Sequence, residues 1–196
     1  MNAKLLLPGG AVVLALAITG CGGSSSSKSS SNASKPAPTT GKEVSPSGDI
    51  PDNQAYVAYK AAGGYSVKVP EGWSRTTTGG ATTFTDKLNS ITVASKPGGA
   101  QPTAASAKRT LVPALTRKGY RITSVTVVPR SAGKAVVIKY EAPGKPNPVT
   151  GKRVTDAVEE YLFFKNGKQV ILTLSGPKTA DNVDPWKLVS NSLKVQ

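Results

Sequence analysis

Apolar and polar residues alternate over several short segments between residues 65 and 93, the pattern expected of half-buried β-strands. Pro70-Glu71-Gly72 interrupts the first segment, and Gly79-Gly80 is typical of the two-residue turn of a β-hairpin. The predicted strands are residues 65–69, 73–78, 81–85 and a segment that carries Ile91 and Val93 on one face. This part of the chain is therefore predicted to form an antiparallel meander.

The spacing of apolar residues changes to that of a helix between about Thr103 and Lys118. One stripe along this segment carries Ala104, Ala107, Leu111 and Leu115. Gly119 stands where the glycine that ends a helix belongs. Pro113 removes one intrahelical hydrogen bond, so a kink or a pair of short helices is expected there.

Strand patterns return after residue 120, and towards the C-terminus they become apolar on both faces. Strands are predicted at residues 121–128, 134–141, 154–165 and 169–175, the last two joined by the hairpin dipeptide Asn166-Gly167. Strands of this kind lie centrally in a sheet that is covered on both faces. The one helix predicted so far cannot cover both faces, so a second helix is needed. Asp184-Pro185 provides an N-cap and a proline at the first helical position, which predicts a second helix.

The apolar stripe of that second helix is Trp186, Val189 and Leu193. With one helix available for each face of the sheet, the predicted fold class is α+β. The expected architecture is an antiparallel β-sheet flanked by helices on both faces, an α/β/α sandwich.

The N-terminus carries the most specific motif. An apolar run follows Lys4 and is too short and too early to cross a bilayer as a permanent helix. It ends in Ile18-Thr19-Gly20-Cys21, which matches the bacterial lipobox. We therefore predict a lipoprotein signal peptide over residues 1–20, cleavage between Gly20 and Cys21, and a diacylglycerol on the Cys21 sulfur. The expected location is the cell membrane, with the protein lipid-anchored on its extracytoplasmic face.

Residues 22 to about 52 are rich in Ser, Lys, Pro and Thr and hold almost no large apolar side chains. Such a segment cannot bury enough surface to offset the entropy lost on ordering it. We therefore predict that residues 21–52 are a lipidated, disordered tether. Residues 53–196 remain as one domain of ordinary size.

Composition excludes several kinds of chemistry. Cys21 is the only cysteine, and the chain has no histidine, so the domain has no disulfide, no thiolate metal site and no imidazole base. Neither a nucleophile-elbow Gly-x-Ser-x-Gly motif nor a phosphate-binding Gly-Lys-Ser/Thr loop occurs. No catalytic residue, metal ligand or cofactor is assigned, and the protein is predicted not to be an enzyme.

Charge is distributed unevenly. The chain has 25 Lys and Arg against 11 Asp and Glu, of which four basic and three acidic residues lie in residues 1–52. The domain therefore carries a net charge of +13. A field of that size favours anionic partners, and it also aids solubility. Outside a cell the expected partners are the membrane itself, through the lipid anchor, an anionic envelope polymer or a membrane protein, and not nucleic acid.

Two acidic clusters are candidates for chemistry. Asp181, Asn182 and Asp184 lack the distal Glu of a calcium loop, so helix capping is the expected role. Glu159 and Glu160 are adjacent on a strand, so they point to opposite faces and cannot act as an acid–base pair. Three large aromatic residues are expected in the core rather than on a ligand platform: Trp73, Tyr161 and Trp186.

Two stretches carry a family resemblance. Residues 64–73 read Gly-Tyr-Ser-Val-Lys-Val-Pro-Glu-Gly-Trp, and residues 184–193 read Asp-Pro-Trp-Lys-Leu-Val-Ser-Asn-Ser-Leu. With the order of the elements between them, they resemble the PsbP-like superfamily, which includes extrinsic photosystem proteins and many actinobacterial lipoproteins. The resemblance implies an antiparallel sheet sandwiched by helices over most of residues 55–196. It implies a mostly non-enzymatic binding or assembly role, with lipid handling in some cell-envelope relatives.

The predicted function is that of a membrane-anchored extracytoplasmic lipoprotein, a non-enzymatic binding or assembly module for an envelope complex. The alternative is a carrier of a lipid or another small hydrophobic molecule, with a pocket between sheet and helix. The ligand-binding residues stay unknown at this level, because the PsbP-like resemblance carries no shared site motif.

Overall fold

The computed structural model describes residues 46–147 and 150–196. Its elements in chain order are β1 (Tyr56–Ala61), β2 (Tyr65–Pro70), β3 (Ser74–Thr78), β4 (Ala81–Asp86), β5 (Asn89–Pro97), α1 (Ala104–Arg117), β6 (Arg121–Arg130), β7 (Gly133–Pro146), β8 (Arg153–Lys165), β9 (Lys168–Pro177), α2 (Val183–Ser192) and β10 (Lys194–Val195). The predicted strands and both predicted helices are therefore present.

The strands form two antiparallel sheets. Seven of them lie in the order β3-β4-β5-β9-β8-β7-β6, and three lie in the order β1-β2-β10. The predicted hairpins are confirmed: Thr78 pairs with Ala81 around Gly79-Gly80, and Lys165 pairs with Lys168 around Asn166-Gly167. Asn166 and Gly167 both have positive φ, 52° and 68°, which is the backbone that this two-residue turn requires.

We call the face of the seven-stranded sheet that carries Val93, Tyr161 and Leu172 the inner face. These side chains share one buried cluster with Val67 of β2 and with Val189 of α2. Alternation along each strand places every second side chain here, as period two requires. The main core therefore lies between the two sheets, with α2 beside β2.

The opposite, outer face is only partly covered. Helix α1 packs over β6 and β7, where Ala107 and Leu115 join Ile138 and Leu162 in a second cluster. Beyond α1, the outer side of β3, β4 and β5 carries small hydroxyl residues, and Thr83 Oγ1 lies 3.0 Å from Thr92 Oγ1. This part of the sheet carries polar residues, so it needs no apolar cover.

The predicted α/β/α sandwich is wrong. About 54% of the described residues are strand and 16% are helix, arranged as two sheets and two helices, without a helix layer on each face. The doubly apolar strands β8 and β9 did require cover on both sides, but β2 of the three-stranded sheet supplies much of the inner cover. The prediction failed because it placed residues 65–69 in the same sheet as the later strands.

Helix α1 runs through Pro113 as one 14-residue helix, and Thr103 and Ser106 close its N-terminus in a reciprocal capping box. Gly119 follows with φ +78°, as predicted for the residue that ends a helix. Helix α2 begins two residues earlier than predicted. Asn182 is its N-cap residue and makes no side-chain cap hydrogen bond, so the predicted capping role of Asp184-Pro185 is wrong.

A short N-terminal segment, residues 46–52, packs onto the domain although it belongs to the predicted tether. Ile50 is only 4% exposed, and its backbone N–H donates to Asn182 Oδ1 at 2.9 Å. No helix within the described residues is long and apolar enough to cross a membrane.

Candidate functional site

A groove of about 450 Å³ lies between α2 and the inner face of β6, β7 and β8. We call it the α2 groove. Val128, Val137, Ala157 and Trp186 form its apolar floor. Each of the three strands reaches it through its inner-facing positions, while Trp186 reaches it from the first turns of α2. The size and the largely apolar lining are those of a small-molecule site.

Charged side chains form the rim of the groove. Four basic residues, Arg130, Lys139, Lys178 and Lys187, face two acidic residues, Glu141 and Glu159, which makes a net charge of +2. The distribution of partners among these six residues decides which charges remain available to a ligand.

Both acidic residues are neutralised within the protein. Lys178 Nζ lies 2.7 Å from Glu141 Oε1, and the Arg121 guanidinium binds the same carboxylate. These hydrogen bonds, from Lys178 first and Arg121 second, lower the pKa of Glu141. Glu159 forms an ion pair with Lys139. Neither carboxylate therefore leaves a free negative charge at the rim.

Tyr161 links this ion pair to Arg130. Its hydroxyl donates to Glu159 Oε2 and accepts from Arg130 Nη2 at 3.2 Å. Burial, followed by the bond to Glu159, raises the pKa of Tyr161. The phenol therefore stays protonated and keeps the chain of hydrogen bonds in one direction.

Among the described residues, the direct partners of Arg130 are all neutral. Its Nε donates to Ser190 Oγ on α2 at 2.9 Å, its Nη1 donates to the Pro129 carbonyl at 2.9 Å, and its guanidinium carbon lies 5.3 Å from the centre of the Tyr161 ring. A guanidinium has five N–H donors. The hydrogen bonds of Arg130 to Ser190, Pro129 and Tyr161 use three of them, so two remain. Sequence reasoning did not single out Arg130, because its contacts join residues 60 positions apart.

The N-terminal segment is fastened at one end of this groove. Asn182, which lines the groove, accepts from the Ile50 N–H and donates to the Gly48 carbonyl at 3.0 Å and to Asn89 Oδ1 at 3.1 Å. Asn89 also donates to Gly48 at 2.7 Å. The side chain predicted to cap a helix instead joins three separate parts of the chain.

A second, more polar cavity of about 230 Å³ lies on the outer face. Stacked Tyr120 and Tyr140 line it, with ring centres 5.4 Å apart, together with Asp156. Ser175 Oγ donates to Asp156 Oδ2 at 2.9 Å. Burial raises the pKa of Asp156 and that of nearby Glu160, whose carboxylate accepts from Tyr140. Each carboxylate already has a hydrogen-bond donor within the protein.

The predicted site residues have different outcomes. Gly20 and Cys21 lie outside the described residues. Glu159 and Glu160 point to opposite faces, as predicted: Glu159 to the α2 groove and Glu160 to Tyr140. Among the aromatic residues, Tyr161 and Trp186 are buried core residues that also line the groove, and Trp73 is half-buried against the inner core.

The acidic cluster around Asp181 shows no metal site. Within residues 46–147 and 150–196, no three acidic, Cys or His side chains are placed to hold a metal ion. What the α2 groove offers chemically is an apolar floor and unneutralised cations, an arrangement suited to holding an amphipathic anion.

Comparisons with known proteins identify the type of fold. No protein-family model and no curated protein matches the chain. The cyanobacterial PsbP (CyanoP) of Synechocystis sp. PCC 6803 is similar in structure over 77% of this chain and 99% of its own, with 14% sequence identity and a TM-score of 0.52. The fold is therefore PsbP-like, and at this identity the likeness extends to the fold alone.

Two other solved structures are similar at a lower level. A protein of Bacteroides thetaiotaomicron VPI-5482 matches over 71% of this chain at 13% identity, with a TM-score of 0.48, and the chain spans 48% of that protein's length. The Ran-binding protein Mog1p of Saccharomyces cerevisiae matches over 64% of this chain and 79% of its own at 13% identity, with a TM-score of 0.43. Neither bears on function here.

Proposed function

We propose that the protein is a membrane-anchored extracytoplasmic lipoprotein of the actinobacterial type, and that it acts as a non-enzymatic binding module with the α2 groove as its site. The observation that supports the site is the groove itself, an apolar floor between sheet and helix beneath a rim whose carboxylates are already neutralised. Of the two functions expected from the sequence, this geometry favours the carrier of a lipid or another small hydrophobic molecule. The cations at the rim further favour a ligand that is amphipathic.

The anchor is supported by the lipobox that ends at Cys21. Metabolic labelling with a fatty-acid analogue tests it directly. The wild-type chain takes up the label, whereas the Cys21→Ala variant loses the label and the normal processing. Equal labelling of the two chains would contradict the anchor and leave the binding role to be tested by itself.

In-cell photocrosslinking tests the groove. Val183 lines the groove and is 72% exposed, so a Val183→p-benzoylphenylalanine variant places a reactive group there without filling the groove. We expect adducts with the mass of a small molecule, and we expect their loss when Ala157→Phe fills the groove in the same chain. Val127, 50% exposed on β6 and outside the groove lining, provides the matched control position. Identical adducts at both positions would rule out a specific site at the groove.

A role as an assembly module for an envelope complex is the second candidate, favoured by the net charge of +13 on residues 53–196. The same crosslinking distinguishes it, because a protein partner gives adducts of protein mass. Binding of the purified protein to anionic and neutral vesicles over a salt series tests the charge. At physiological ionic strength, interactions between exposed charges are largely screened beyond about 8 Å. Electrostatic binding to the vesicles should therefore fall as salt rises. Binding independent of lipid charge and of salt would remove the electrostatic membrane role.

A further inference from the structure

We infer that the α2 groove takes a single-chain alkyl phosphate monoester, whose phosphate binds Arg130 and Lys187 and whose chain lies on Val128, Val137 and Trp186. This inference rests on the proposed function and specifies its ligand.

The charge of the groove matches a phosphate monoester. The six charged residues that line the groove carry a net charge of +2. Lys139 neutralises Glu159 and Lys178 neutralises Glu141, so Arg130 and Lys187 supply this charge. Arg121, which also binds Glu141, lies outside the lining and is 63% exposed. A phosphate monoester carries about −1.5 to −2 at pH 7. A carboxylate head would leave one positive charge uncompensated in a partly apolar groove, where unpaired charge is costly.

Arg130 and Lys187 are the cations that remain available. Lys187 forms no ion pair among the described residues, and it stands three positions before Ser190, the α2 residue that Arg130 binds. Residues three apart on a helix are surface neighbours, so Arg130 and the base of Lys187 lie close together. Arg130 is held in place by Ser190 and Tyr161, and its two unused N–H groups suit the paired oxygens of a phosphate.

The apolar floor accounts for the chain. Val128 and Val137 come from neighbouring strands, and Trp186 lies across from them on α2. At the mouth of the groove, Val183 is 72% exposed, which makes it the most exposed large apolar residue in the part of the chain that the structure describes. A chain leaving the groove over Val183 would cover this side chain and remove apolar surface from water.

Binding to a chain-matched series of probes tests the inference. The full-length protein is placed in phosphatidylcholine nanodiscs, and binding of radiolabelled decyl phosphate, decanoate and uncharged monodecanoylglycerol is measured against empty nanodiscs. We expect decyl phosphate to bind most tightly and monodecanoylglycerol least tightly. Affinity for decyl phosphate should also rise as pH passes through about 6, where the second phosphate proton is lost.

Lys187→Gln changes an exposed residue and is expected to weaken decyl phosphate binding by about tenfold, the usual effect of one charge-assisted hydrogen bond. Arg130→Gln should weaken it at least as much, and neither change should affect monodecanoylglycerol. Lys96→Gln, on an exposed lysine of β5 outside the groove, is the matched control and should leave all three probes unchanged.

The outcomes distinguish the two levels of the proposal. If decanoate or monodecanoylglycerol binds as tightly as decyl phosphate, or if Lys187→Gln behaves like Lys96→Gln, the phosphate inference is wrong and the groove still stands as a site. If Ala157→Phe, which fills the groove, leaves the binding of every probe unchanged, the groove is not the site and the proposed function fails as well.

Discussion

The two helices differ in a way that their lengths do not suggest. Helix α2 has ten residues and buries Trp186, Val189 and Ser190, whereas α1 has fourteen residues and buries only Ala107 and Leu115. Helix α2 belongs to the core between the sheets, and α1 lies on one face of one sheet. Burial, and with it the contribution to stability, follows from the number of layers that a helix contacts.

The same contrast explains where the groove lies. Helix α2 packs tightly beside β2, and its other side faces the inner surface of β6–β8, where Arg130 reaches across to Ser190. Helix α1 has no second layer above it, so the described outer face offers a smaller polar cavity beside Tyr120. Because α2 packs against the inner core, the α2 groove remains along the side of the helix that faces β6–β8. This groove is the candidate site.

Truncation of the largest side chain on α2 should have the greatest effect. Trp186 is 8% exposed, so Trp186→Ala should lower the free energy of unfolding by about 3–5 kcal/mol. Leu111→Ala, at a half-buried position of α1, should cost less than about 2 kcal/mol. Urea denaturation followed by circular dichroism measures both. Equal costs would show that the two helices contribute alike and that the contrast is wrong.

Removal of Asn182 should come next. Its amide joins the N-terminal segment to β5 and α2, and Asn182→Ala leaves buried Ile50 N–H and Asn89 groups without that partner. The expected cost is about 2 kcal/mol, with faster proteolysis within residues 46–52. Asn191→Ala, a half-buried asparagine elsewhere on α2, is the control. If the two variants behave alike, the segment is not held through Asn182.

Trp73, which lies outside both helices, provides a second tryptophan to compare with Trp186 on α2. From the sequence, Trp73 was expected in the core, where truncation of a buried tryptophan costs about 3–5 kcal/mol. Because Trp73 is half-buried at the edge of the inner core, Trp73→Ala should cost about 2 kcal/mol, roughly half that of a buried tryptophan. Chemical denaturation of the Trp73→Ala and Trp186→Ala variants side by side measures the difference. A larger loss at Trp73 would place the more important aromatic outside α2.

The smallest expected effect is a pH dependence on the outer face. Burial raises the pKa of Glu160 above its ordinary value of 4.5, although Tyr140 and Lys118 oppose the shift. The folded state therefore holds this proton more tightly than the unfolded state, so the contribution of Glu160 to stability falls as pH rises from about 4.5. Glu160→Gln should show a flatter profile, while exposed Glu71→Gln should follow the wild type. Denaturant midpoints measured from about pH 4, near the ordinary pKa of a carboxyl group, to about pH 7 give the test.

Local features of the fold were predictable because they depend on neighbouring residues. The hairpins at Gly79-Gly80 and Asn166-Gly167, the helical spacing of α1 and the opposite directions of Glu159 and Glu160 all follow from periods of two or 3.6 residues. The start of α2 was placed two residues late because Asp184-Pro185 has good capping chemistry, but the N-cap residue is Asn182, whose side chain binds Ile50.

The groove could not be found in the same way. No local sequence pattern distinguishes Arg130 and Lys187 from the other basic residues. No local pattern predicts the pairing of Glu141 with Lys178 either. Which lysines remain free depends on which carboxylates lie within reach in space. Trp186 and Tyr161 were recognised as core residues, but their second role in lining the groove depends on the position of α2 over β8.

By itself, the sequence determined eight of the ten described strands, the two helices, the hairpin turns and the apolar faces that had to be buried, because each depends on residues a few positions apart. Strands β1 and β10 were not predicted. Only the tertiary structure decided that two sheets share the inner core. Strand β10, at Lys194–Val195, pairs with β2 more than a hundred residues earlier in the chain. Such long-range pairing is selected by the packing of whole layers, and the same packing places Arg130 against Ser190 and opens the α2 groove.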